Sequence, residues 1–140
     1  MASLEAIRTG LKTTIEAAIA GFQVHEKVVA KPVPPCLIVL PADADFAVAM
    51  AKGTDTWNFD LIVLVPTADL IVGQTLLDPY VTGAGPSSIR STIFAARTLG
   101  LTGTDAWIAA MTEYGGTYEY GGNSHIGATL RLVVHTTGTA

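Results

Sequence analysis

The stretch "WNFDLIVLVP", Trp57 to Pro66, decides the fold. Side chains alternate across a strand, so Trp57, Phe59, Leu61, Val63 and Val65 share one face. The other face begins polar with Asn58 and Asp60, then turns apolar with Ile62 and Leu64. A strand of that pattern starts with one side in water and runs into cover on both. The remaining elements have to supply that cover.

Working back from it, "CLIVLP" (Cys36 to Pro41) reads as a second, short apolar strand, and "ADADF" as the turn that follows. "AVAMAKGTD" fits either a short strand with its turn or a helical turn. "PVPP", Pro32 to Pro35, cannot continue a hydrogen-bonded ladder and serves as a stiff connector. Before it, "FQVHEKVVAK" is a half-buried strand. Phe22, Val24, Val28 and Ala30 point one way and Gln23, His25, Lys27 and Lys31 the other, with Glu26 out of pattern. The opening segment is an amphipathic helix whose stripe is Leu4, Ile7, Leu11, Ile15, Ala18 and Phe22. Ser3 can cap it, Glu5 suits its first turn, and Gly21 can stop it.

Working forward, "PTADLIVGQTLLDPYVTG" is helical after a Thr67 cap, with Ile71, Leu76 or Leu77, and Tyr80 inward; Gly73 and Pro79 interrupt the pattern. A further helix runs from about Ser87 to Arg97. After "TGTD" the chain is strand-like again. Thr112, Tyr114, Tyr118 and Tyr120 alternate with Glu113, Thr117 and Glu119, and "GGNS" supplies turn chemistry. Ile126, Ala128, Leu130, Leu132 and Val134 then alternate with Thr129, Arg131 and His135. The sum is an α+β fold. It has a mostly antiparallel sheet, an N-terminal helix and two central helices packed on one face, and a C-terminal β-hairpin.

Length and composition narrow the function. The 140 residues fit one domain spanning 1–140. Charged residues are 14% of the chain, against roughly 25% in an average globular protein. The hydrophobic share is 49% and the mean hydropathy +0.43. So little charge on so small a domain favours burial of part of its surface in an assembly. The net charge is −4, and the eight Lys and Arg are scattered, so there is no basic footprint for nucleic acid. Apolar runs such as "LIVLVP" fall far short of a spanning helix, so no membrane role is expected. "MASLEAIRTGLK" reads as no secretory signal. Cys36, in "PPCLIVLP", suits a buried small hydrophobe.

Chemistry is sparse. "YVTGAGPSSIRSTI", Tyr80 to Ile93, lacks the lysine of a phosphate-binding loop, and Pro86 removes an amide where one is needed. Ser88 stands where a dinucleotide fingerprint wants its third glycine, and Ile89 where a nucleophile elbow wants its second. Each residue fits a helix start instead, with Ser87 as cap and Ile89, Ile93 and Phe94 inward. His25, His125 and His135 lack the spacing of a helical zinc motif. Asp43 to Asp45, "DAD", fits turn chemistry better than metal binding. No catalytic, cofactor-binding or metal residue is assigned, no cofactor is expected, and the chain reads as no enzyme. Trp57, Phe59, Tyr114, Tyr118 and Tyr120 have no basic residues interleaved, which argues against stacking on single strands. Part of this set suits the core and part a protein interface.

The series "VHEKVVAKPVPPCLIVLP", "WNFDLIVLVP", "LLDPYVTGAGPSSIRSTI" and "TEYGGTYEYGGNSHIGATLRLVVHT", after an N-terminal helix, resembles the tail terminator (tail completion) proteins of bacteriophages with long non-contractile tails. The resemblance implies a virion structural protein in the tail or neck, assembled in the host cytoplasm. Six copies would form a ring that caps the tail tube, ends its polymerisation and joins the tail to the head connector. Its partners would be itself, the tail tube protein and the head–tail connector protein, with DNA passing through the lumen without specific binding. No catalytic residue comes with the resemblance. A closed ring needs two different patches that fit each other. At the rim of the sheet, Trp57, Phe59, Tyr118 and Tyr120 are the candidate anchors, and Arg90 and Arg131 the candidate ion-pair partners. Another head–tail connector or neck protein, a tail tube subunit, and a small ligand-binding or enzymatic α+β domain are the alternatives.

Overall fold

The computed structural model describes residues 4–19, 22–25, 35–45, 54–66, 70–101, 103–120 and 123–137. In chain order they form α1 (Leu4–Ala18), β1 (Gln23–His25), β2 (Cys36–Asp45), β3 (Thr54–Val65), α2 (Leu70–Val81), α3 (Ile89–Ala95), β4 (Thr104–Tyr120) and β5 (Asn123–Thr137). The strands make one sheet in the order β1-β2-β3-β5-β4. Only β1 and β2 pair in parallel; the other neighbours are antiparallel. The fold is α+β with a closing hairpin, as the periodicities predict.

Strand β3 carries the sheet. Phe59, Leu61, Val63 and Val65 face the helices together with Leu37 and Val39 of β2 and Ile126, Ala128, Leu130, Leu132 and Val134 of β5. Into that surface α1 sets Ile7, Leu11 and Ile15, α2 sets Leu77, and α3 sets Ile89 and Ile93. All three helices therefore lie on one face. On the opposite face Ile62 and Leu64 join Cys36 and Ile38 in a smaller cluster, with Leu40 and Tyr118 packed on it. The switch from polar to apolar along β3 marks where this second cluster begins. Burial there pushes the Cys36 thiol up to about 11.

Two close approaches fix the packing. A Cβ on Gly127 would stand 2.2 Å from the Val63 carbonyl oxygen and 3.1 Å from the Tyr118 ring, so only glycine fits where β5 crosses β3 under that ring. A Cβ on Gly10 would come within 2.8 Å of the Leu99 carbonyl oxygen, so α1 meets the turn after α3 backbone to backbone. α1 also holds β1. Glu16 accepts the Val24 N–H at 2.9 Å, and Lys12 Nζ donates at 3.1 Å to both the Val24 carbonyl and Glu16.

Several local expectations give way. "ADAD" does not turn the chain: β2 runs on to Asp45, absorbing Pro41 through a register shift between Pro41 and Asp43. The α1 stripe ends on Ile19 and not on exposed Ala18. Ser88, not Ser87, caps α3: its Oγ accepts the Ser91 N–H at 3.1 Å and donates to the Thr82 carbonyl at 2.6 Å. With Ile93 buried, Phe94 is turned outward and is 62% exposed. On α2 the inward positions are Leu77 and Tyr80, the latter stacked on Phe22 at 4.8 Å. Ile71 is 80% exposed. Gly73 takes the place against the sheet, where a Cβ would lie 3.0 Å from the Ile126 side chain. Of "FQVHEKVVAK", Gln23 to His25 form β1 and 26–31 lie outside the described residues, as do Ser3, Gly21, Thr67 and positions 47–53 of "AVAMAKGTD".

Candidate interaction surface

The five candidate interface residues whose side chains are described do not gather in one patch: Trp57 and Phe59 adjoin on β3, and Tyr118, Arg90 and Arg131 lie elsewhere. Phe59 lies wholly inside the core, so it has no surface to offer a partner, and the expectation that it anchors an interface is corrected. Its position on the helix-facing side of β3 is the reason. Trp57 packs against the core from its margin, 6.4 Å from the Phe59 ring. Tyr118 is half-buried over the second cluster, and its hydroxyl meets Thr129 Oγ1 at 2.8 Å and donates to Glu113 at 3.1 Å. Tyr120 ends β4, and its side chain lies outside the described residues. Arg131 is exposed on the open face opposite Asp60, in a hollow of about 240 Å³ lined by Ala42, Asp43, Asn58 and Asp60. There Asn58 donates to Asp43. Arg90 is exposed on α3.

What the fold exposes instead is apolar. α2 rests on the sheet through Gly73 and Leu77, and its outer face presents Ile71 at 80%, Val72 at 50% and Leu76 at 40% exposure. The Tyr114 hydroxyl donates to Asp78 of α2, which ties strand β4 to this helix; the carboxylate beside it pushes the Tyr114 pKa up. Met111 and Tyr114 are also among the exposed large apolar side chains. The sequence carried a signal for this. Leu70, Ile71, Val72, Leu76 and Leu77 are more apolar positions than one inward stripe can use.

A second feature unites residues far apart in the chain. Arg97 Nε and Nη2 each donate at 2.7 Å to one oxygen of Asp105, a bidentate pair that fixes the guanidinium. So held, it lies 5.6 Å from the Trp107 ring and 6.0 Å from the Phe94 ring. Trp107 in turn packs 4.9 Å from the His135 ring, whose Nδ1 is 2.8 Å from Thr56 Oγ1. Arg90, Phe94, Arg97, Trp107 and Ile108 enclose a cleft of about 210 Å³. Single-strand alternation does not reveal it, because Arg90, Phe94 and Arg97 come from α3 and the turn after it.

The histidines stay apart. His25 ends β1, its pKa lowered first by burial and then by Lys12, while His125 is buried in β5. Among the described residues no three His, Cys, Asp or Glu gather as metal ligands, and no helix is long and apolar enough to cross a membrane. No protein-family model and no curated protein matches the chain.

Proposed function

We propose that the chain is a virion structural protein of the tail-terminator kind, a subunit that closes into a hexameric ring on the end of a tail tube. The ring ends tube growth, presents a surface to the head connector, and lets DNA pass through its lumen without specific binding. Its place is the tail or neck of the virion, assembled in the host cytoplasm, and its work is contact and not catalysis.

The observation that carries this reading is the outer face of α2. Ile71, Val72 and Leu76 are 80%, 50% and 40% exposed on a helix whose inward Leu77 is fully buried. Apolar surface of that kind, on a chain with so few charges, is removed from water by assembly. The order of the quoted sequence segments supplies the rest of the resemblance.

Absolute mass by light scattering over a concentration series, with negative-stain images of the largest species, tests it. Closed rings of one size are expected. Open-ended tubes would move the assignment to a tail tube subunit. A monomer at every concentration would overturn the assembly reading.

A further inference from the structure

We infer that the cleft beside α3 receives an acidic side chain, Glu119 of β4, from a neighbouring copy of this chain. The inference rests on the reading that copies assemble, and names one contact through which they do so.

Charge is the first argument. Arg97 is neutralised by Asp105, whereas Arg90 donates only to the Gly83 carbonyl, at 3.2 Å, and meets no acid among the described residues. The lining of the cleft thus includes one arginine with no acidic partner among the described residues, on a chain of net charge −4. Its apolar walls, Phe94, Trp107 and Ile108, lower the local dielectric and strengthen a charge pair formed there. Phe94, largely exposed, is an aromatic rim such a contact would cover.

The donor is the second argument. Of the two exposed acids on the far half of β4, Glu113 accepts the Tyr118 hydroxyl, while Glu119 has no partner among the described residues. Glu119 cannot reach the cleft of its own subunit. β4 is interrupted between them by register shifts, but Trp107 pairs with Val133 and Glu119 with Ser124 of β5, and at roughly 3.3 Å per residue those partners stand tens of ångströms apart. Cleft and acid occupy opposite ends of β4. Each copy therefore offers one half of the contact at each end, which is the heterologous geometry that closes rings.

Charge reversal decides it. R90E and E119R, each alone, are expected to shift the concentration at which wild-type protein assembles upward by about tenfold or more, the scale of a close interfacial charge pair. Their circular dichroism and unfolding midpoints should stay at wild-type values. An equimolar mixture of the two variants, and the double variant R90E/E119R, should recover rings, because every interface then pairs opposite charges. If R90E assembles like wild type, or if neither mixture nor double variant recovers rings, the contact is wrong while ring formation stands. If the wild type itself never assembles, both readings fall together.

Discussion

Helices α1 and α2 lie on the same face of the same sheet and differ in what they show to water. α1 buries Ile7, Leu11 and Ile15 and turns Glu5, Thr9 and Thr13 outward, with Lys12 and Glu16 paired across one turn. α2 buries Leu77 and half-buries Tyr80, yet turns Ile71 and Leu76 outward. The first helix shows water a polar face. The second has one apolar face more than its own sheet can cover. On the proposed assembly, what sets the two helices apart is the outer face alone.

The inner faces should be equivalent. Leu11→Ala and Leu77→Ala are each expected to destabilise by about 2–5 kcal/mol, read by chemical denaturation, since both remove fully buried leucine. A much smaller loss for Leu77→Ala would mean that α2 is not seated on the sheet, and the comparison would collapse. Next in size is Gly73→Val, which pushes new methyl groups into Ile126 and should cost about 1–3 kcal/mol by overpacking. The outer faces should then separate the helices. Changing Ile71 and Leu76 together to Ser should leave the stability of dilute protein within about 0.5 kcal/mol while weakening assembly in light scattering. Thr9→Ser with Thr13→Ser on α1 should alter neither.

The smallest effect belongs to Glu16. Its pKa is lowered, chiefly by the Val24 N–H it accepts, with Lys12 helping. A carboxyl held below its ordinary value stabilises the fold above that value and loses the contribution as pH falls through the folded one. The stability gap between wild type and Glu16→Gln should thus be greatest near neutral pH and shrink below 4.5. A gap that is flat with pH would show that Glu16 does not pin β1 to α1.

Period-two patterning made β3 and β5 legible, because each buries an unbroken alternate set, and β3 even announced its second apolar face through Ile62 and Leu64. Boundaries and helix rotations were less so. Pro41 looked like an end to β2, but a bulge accommodates it. Of two adjacent apolar residues on α3, only Ile93 is buried and Phe94 is exposed, and the pattern alone does not choose between them. On α2 the choice is made by Gly73, which contributes no side chain and so leaves no hydrophobic mark. The cleft was the least legible. Arg97, Asp105 and Trp107 meet only because the turn after α3 folds back on β4, where the Ala106 N–H donates to the Arg97 carbonyl at 2.8 Å.

The strand order also bears on how the protein is made. β3 lies between β2 and β5, but β5 follows α2, α3 and β4 in the chain. While a ribosome is still delivering those elements, β3 has a neighbour on one side only, and Leu61 and Val63 wait beside an unfilled edge. The sheet closes when β5 slides in as a central strand, so nascent chains stalled before Asn123 should be prone to chaperone capture. Completion of the fold is set by the arrival of its last strand.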